Sequence, residues 1–288
     1  MDIESKKFLG QPKNFVSIFN ALLFDGQPVL KPEYLKDENS ELVMNVSSKH
    51  VDIIKRYEDG TYLDLFVIES QSYVDQCMVA RVMEYECVAR MRYIRQNFKK
   101  HVPMHTRLPM ILTVVLYVGE SKWNAAKRLS ELEIIHPGFE DMFNEFKLNL
   151  IELNTNHKYN TGEKATQDFF DLLRMIYRKQ ILKENLDREF NRDALYFAYV
   201  VTKNKELLNI YQESEKGDVK VCRALDEMFE ESTNKGIQMG IKQGIEQGIA
   251  LNQFEVYQTT LDKGFSVKAI ASIFSVSEES IKTLLMKA

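Results

Sequence analysis

The chain has 288 residues, of which 44% are hydrophobic and 28% charged, with 17 Phe and 13 Tyr; that balance affords a sizeable core and excludes a disordered or fibrous chain. A formal net charge of −4 announces no nucleic-acid partner, so a polyanion would have to be held by local basic patches. Cys77, Cys87 and Cys222 are odd in number and lack CxxC spacing, which argues against a disulfide framework or a cysteine-rich zinc site and for buried reduced thiols.

The first residues, MDIESKKFLGQPKNF, contain no apolar signal core, and the longest apolar runs, such as Leu112 to Val118, are too short to span a bilayer. A cytoplasmic protein without membrane contact is expected. Phe15, Ile18, Phe19, Leu22 and Leu23 recur at the spacing of one helical face, ended by Asp25-Gly26 and Pro28. Strands are expected near Leu42 to Val46, at His50 to Tyr57 and at Tyr62 to Gln71, the last two flanking the hairpin signal Asp59-Gly60. Val74 to Phe98 reads as a long amphipathic helix, Leu108 to Val118 as a strand buried on both faces, and Leu148 to Leu153 as another strand after an amphipathic piece at Asp141 to Phe146. From Gly162 the pattern turns helical, over Ala165 to Glu184, Arg188 to Glu215 and Val219 to Glu231. After Lys235 the run GIQMGIKQGIEQGIAL places Gly at 236, 240, 244 and 248. Each mid-helix Gly costs about 1 kcal/mol relative to Ala, so a helix here needs a closely packed partner helix.

The chemistry-bearing residues gather on the hairpin. With Asp59 and Gly60 as a two-residue turn, paired positions sum to 119, so Asp52 faces Val67 and His50 faces Glu69. Asp52, Glu69 and Gln71 then share one face, with the two carboxylates diagonal neighbours roughly 7–8 Å apart, a span that a hard cation can bridge. Leu63, Leu65, Val67 and Ile54 occupy the same face, where an uncompensated carboxylate is expensive. A bound metal would resolve that conflict.

Asp52, Glu69-Ser70-Gln71-Ser72, then Arg81 and Tyr85, then LPMILTVVLYVGESKW together resemble the Rpn family of recombination-promoting nucleases/putative transposases, over about residues 13 to 155. The glycine-isoleucine run is also similar to tails common in that family. The resemblance implies an α/β, restriction-endonuclease-like core of the PD-(D/E)xK class (helix, three-strand meander, helix, strand), Mg²⁺- or Mn²⁺-dependent DNA cleavage, and a link to recombination or mobile elements. It implies a metal held by Asp52, Glu69 and the Ser70 carbonyl, with Gln71 where the wider superfamily has a lysine. A neutral amide orients a water but lends it no charge. Arg81 is then a candidate for gripping the scissile phosphate, or else for an ion pair with Glu84 or Asp75. The residue before Asp52 is Val51, not proline, and of the first helix only Asn20 and Asp25 offer polar groups near the site.

Arg90, Arg92, Arg95, Lys99 and Lys100 form a basic run suited to DNA phosphates, or to the dipole at a helix end. GFSVKAIASIFSVSEESIKTLL has the rhythm of a helix-turn-helix with Ser277 as a cap, but its second helix offers only Lys282 and Lys287 against Glu278 and Glu279, which suits a helical hairpin for packing or self-association better than a reader of bases. The expected organisation is a nuclease domain over 1–155, an α-helical region over 156–232, and a glycine-isoleucine helix with a small helical hairpin over 233–288, assembling as a homo-oligomer through residues 236–262. The rival to a metal-dependent DNA endonuclease is a catalytically inactive DNA-binding or recombination-accessory protein of the same fold.

Overall fold

A computed structural model describes residues 3–38, 53–61, 63–181, 188–214 and 217–287. The chain divides into two compact units, Met1–Asp226 and Glu227–Ala288.

In the first unit, α1 (Ile3–Leu9) and α2 (Pro12–Phe24) precede β1 (Leu35–Asp37), β2 (Ile53–Glu58) and β3 (Leu63–Gln71). Pro12 opens α2 at the position where its missing N–H costs nothing, and Asp25 closes it in the left-handed conformation at φ 49°. Next come α3 (Met78–Asn97), β4 (Ile111–Tyr117) and β5 (Asn149–Glu152). The five strands form one mixed sheet in the order β1-β2-β3-β4-β5, with the first two pairings antiparallel and the last two parallel. The expected strand at Leu42 to Val46 lies outside the described residues; among the described residues, β1 pairs with β2 on the side away from β3.

β3 is buried on both faces, which is why its sequence is almost continuously apolar instead of alternating. Leu65 and Val67 pack with Ile54, Tyr85, Ala89 and Ile111 beneath α3. On the other face Phe66 meets Phe19 of α2, ring centroids 4.9 Å apart. That layer is extended by α4 (Lys164–Arg178) and α5 (Arg192–Thr202), where Phe8, Phe169 and Phe197 form a mutual aromatic cluster. The sheet therefore lies between two helical layers.

Several boundaries differ from expectation. Asp141 to Phe146 contributes only a short 3₁₀ turn, Glu140–Met142. The helix expected to run to Glu184 ends at Arg178, with Lys179 left-handed at φ 51°. Arg188 to Glu215 is not one helix. Its start forms β6 (Glu189–Phe190), paired with β7 (Val219–Lys220), and the rest is α5 and α6 (Lys205–Glu213). The break falls at Lys203, left-handed at φ 57°, after which the Asn204 side chain accepts from the Glu206 N–H and starts α6. Apolar periodicity runs through such a break, because both helices bury the same kind of face.

α7 (Cys222–Asp262) runs unbroken through the glycine repeat. In the second unit its end packs Val256, Tyr257 and Leu261 against Ile270 of α8 (Val267–Phe274) and Ile281 of α9 (Glu278–Lys287). Ser266 caps α8, Ser275 ends it at φ 53°, and the Ser277 hydroxyl accepts from the Ser280 N–H at 3.1 Å. Of the cysteines expected to be buried, only Cys222 is; Cys77 and Cys87 are exposed free thiols. No helix among the described residues is long and apolar enough to cross a membrane.

Candidate active site at the end of strand β3

The β2–β3 register pairs Ile54 with Val67 and Glu58 with Leu63, so paired positions sum to 121 instead of 119. Four residues, 59–62, separate the paired positions. The Asp59 carboxylate accepts from the Thr61 N–H at 2.8 Å, and Gly60 takes φ 89°, which a side chain would resist. A slip of two residues leaves every side chain on its expected face, whereas a slip of one would invert them all. Asp52 and His50 lie outside the described residues.

Glu69 and Gln71 sit at the C-terminal end of β3 on the α3 face, opposite Val115 and Tyr117 of β4, and each is 4% exposed. The C-terminal ends of parallel strands are where open α/β sheets ordinarily place ligands. Leu65 donates to the Met110 carbonyl and Val118 donates to the Gln71 carbonyl, so the odd-numbered residues of β3 direct their peptide groups at β4. By alternation the Ser70 carbonyl is directed toward the β2 side.

Between β3 and α3 lie only residues 72–77, and this short connection folds α3 back over the face carrying Glu69. The Asp75 carboxylate accepts from the Cys77 N–H at 2.9 Å as the helix begins. One turn on, Arg81 donates from NH2 to Glu69 Oε1 at 3.2 Å and from NH1 to Asp75. It also donates to the Tyr85 hydroxyl from Nε at 3.1 Å and NH2 at 2.8 Å. Burial alone would lower the Arg81 pKa, but the bonds it donates to Asp75 and Tyr85 outweigh that, so the guanidinium is held charged. Burial raises the Tyr85 pKa, and the nearby Glu69 charge pushes the same way against the pull of Arg81. Glu69 is therefore not the uncompensated carboxylate that the sequence implied. Arg81 forms the ion pair with Asp75, one of the two acidic partners expected for it, and a second one with Glu69.

Gln71 is different. Its buried Nε2 has no hydrogen-bond partner among the described residues, and a buried amide without a partner costs about 1–3 kcal/mol unless water or a ligand satisfies it. Asn20 and Asp25 are committed elsewhere. Asn20 makes paired bonds to the Leu30 backbone, both 2.9 Å, and Asp25 caps α2.

The basic run is divided. Arg90 donates to Glu86 at 3.0 Å, and buried Glu86 also accepts the Thr113 N–H of β4. Arg92 is half-buried, while Arg95, Lys99 and Lys100 are exposed at and beyond the end of α3. Among the described residues, no group of three or more His, Cys, Asp or Glu side chains is set to hold a metal ion. Within the run LPMILTVVLYVGESKW, Tyr117, Gly119 and Trp123 are structural. Tyr117 and Trp123 pack edge to face at 5.1 Å, and the bare Cα of Gly119 admits the Ser72 carbonyl and the Tyr117 hydroxyl. That contact ties the loop after β4 to the residue following Gln71. Asp75 was missed as a site residue in its own right; its place six residues before Arg81, just ahead of a helix start, was the available signal.

A family model described as Putative transposase, YhgA-like, matches residues 33–206. The chain belongs to that family. The match runs from before β1 into α6, includes the whole Glu69–Arg81 cluster, and bears out the family resemblance carried by the sequence motifs. No curated protein matches the chain, and no solved structure does.

Proposed function

We propose that the chain is a metal-dependent DNA endonuclease with a restriction-endonuclease-like core of the PD-(D/E)xK class, acting in recombination or on mobile elements. The observation that carries this reading is the end of β3, where the buried Glu69 carboxylate and a buried Gln71 amide nitrogen with no partner among the described residues share one face beside Arg81. A transposase-like family supports DNA as the partner.

The residues fit a hard divalent cation, Mg²⁺ or Mn²⁺. The Glu69 carboxylate and the Ser70 carbonyl are oxygen donors of the right class, and Asp52, which the resemblance adds, lies outside the described residues. When bound, such an ion polarises the phosphate, lowers the pKa of a water and stabilises the leaving oxygen. Gln71 supplies the other requirement: its amide nitrogen, bonded to no described residue, donates to the attacking water and orients it. Arg95, Lys99 and Lys100 position DNA through its phosphates, with Arg92 at their edge.

Incubating the purified protein with supercoiled DNA tests the reading directly. Nicked or linear product with Mg²⁺ and none with EDTA is the expected outcome. A second reading, an inactive DNA-binding accessory protein, is favoured by the engagement of Glu69 with Arg81. DNA retained on the protein with no product under any divalent metal would select it. Homo-oligomerisation through 236–262 belongs to the same proposal: Ile237, Ile241, Ile245 and Ile249 are 55%, 58%, 57% and 53% exposed, beside glycines with open space around them.

A further inference from the structure

We propose that Arg81 is a built-in counter-cation for Glu69 which a divalent metal displaces, so that metal loading and the Arg81–Glu69 pair exclude each other. The inference rests on the metal-dependent reading above. A carboxylate 4% exposed keeps its charge only with a cation or several donors beside it, and Arg81 NH2 stands at 3.2 Å from it. Every N–H of the guanidinium is occupied: Nε by Tyr85, NH2 by Glu69 and Tyr85, NH1 by Asp75 and, at 3.7 Å, the Met78 sulfur. Arg81 therefore reaches a phosphate only by giving up one of these bonds.

The two carboxylate contacts are unequal. The Glu69 contact, at 3.2 Å, is longer than the roughly 2.7–2.9 Å usual for a charge-assisted bond, while Asp75 pairs with NH1 and is itself fixed to the Cys77 N–H at 2.9 Å, at the start of the helix that carries Arg81. Glu69 is thus the partner that yields, and Asp75 the anchor that keeps Arg81 in reach. A compact dication attracts a carboxylate more strongly than a delocalised single charge does. Once displaced, the NH2 edge has an unmet donor beside the end of β3, and a phosphate oxygen is the group whose chemistry satisfies it. Arg81 in this account first holds the empty carboxylate and then the substrate.

Calorimetric titration of the full chain with Mg²⁺, without DNA, and melts in EDTA and in Mg²⁺ test the exchange apart from activity. Arg81→Gln is expected to melt lower than wild type in EDTA, to gain more from Mg²⁺, and to bind Mg²⁺ tighter by about tenfold or more, as removal of one charged competitor implies. Asp75→Asn, which leaves Glu69 as the carboxylate that Arg81 pairs with, is expected to bind Mg²⁺ more weakly than wild type. Equal or weaker Mg²⁺ binding by Arg81→Gln overturns the exchange, and if that variant does not fold, unchanged or tighter binding by Asp75→Asn overturns it instead. Absence of Mg²⁺ heat in wild type and both variants would remove the metal-dependent reading itself, a result distinct from equal binding by all three.

Discussion

Removing Glu69 strands a cation that is 17% exposed at its side chain, and that asymmetry decides what its replacement does. Without Arg81 overhead, Glu69→Ala would relieve a buried charge and stabilise the chain. With it, the change leaves Arg81 short of one acceptor, and a loss of roughly 2–3 kcal/mol in denaturant unfolding is expected; no loss would show that the pair contributes nothing. Gln71→Ala should lower single-turnover cleavage by roughly 10²-fold with little change in DNA affinity, as for other single positioning donors. Gln71→Lys should harm it less, and the reverse order would make Gln71 scaffold. Asp64 offers a pH test away from the site. Burial raises its pKa, while the bond from the Met110 N–H, 3.0 Å long, lowers it. A raised carboxyl pKa means that the folded state holds its proton longer than the unfolded one, so this contribution to stability is lost as pH rises through the raised value. Asp64→Asn keeps an acceptor for Met110 and should raise Tm at pH 7. The gain should vanish below about pH 4, where the unfolded carboxyl is protonated too. A gain independent of pH would implicate packing instead of charge.

At the level of elements, the sequence revealed what periodicity and turn chemistry encode, and missed what packing decides. The alternating faces of β2 and β3 were legible because their parity survives a two-residue slip, although the turn itself was read two residues too short. Helix α3 was legible as a whole, but not that its first turn would place Arg81 between two carboxylates, since no local pattern specifies which acidic group lies across a gap. The unpartnered Gln71 amide was invisible for a similar reason: hydrogen-bond satisfaction is a property of the assembled core. Gly119 lies in the run that carries the family resemblance, but nothing in that run tells what its bare Cα admits. A Cβ there would lie 2.5 Å from the Tyr117 hydroxyl and 2.6 Å from the Ser72 carbonyl, so Gly119→Ala should cost about 1–3 kcal/mol as an overpacking change, and an unchanged melt would mean that this loop yields freely. The glycine repeat of α7 separates two readings by sign. A solitary helix gains about 1 kcal/mol from each exposed Gly→Ala change. A paired helix loses its close approach, so Gly240→Ala with Gly244→Ala should lower the mass seen by light scattering, and an unchanged mass with a higher melt would contradict oligomerisation through this helix. Because a four-residue period advances about 40° per step on a helix of 3.6 residues per turn, the pairing should be short or right-handed in sense.

For the whole molecule, the family match takes in the sheet, α3 and the site, and stops within α6, so the proposed catalysis rests on the first unit alone, and the proposed assembly on residues 236–262 of α7. Its central claim is that the end of β3 is a metal-dependent phosphodiester-cleaving centre in which the charge of Glu69 is required. The direct measurement is the single-turnover nicking rate of supercoiled DNA in Mg²⁺ by wild type and by Glu69→Gln, which keeps the shape of the side chain and removes its charge. Nicking by wild type that depends on Mg²⁺ and is lost in folded, DNA-binding Glu69→Gln is the predicted result; nicking at the same rate by both proteins, or by neither, would contradict it.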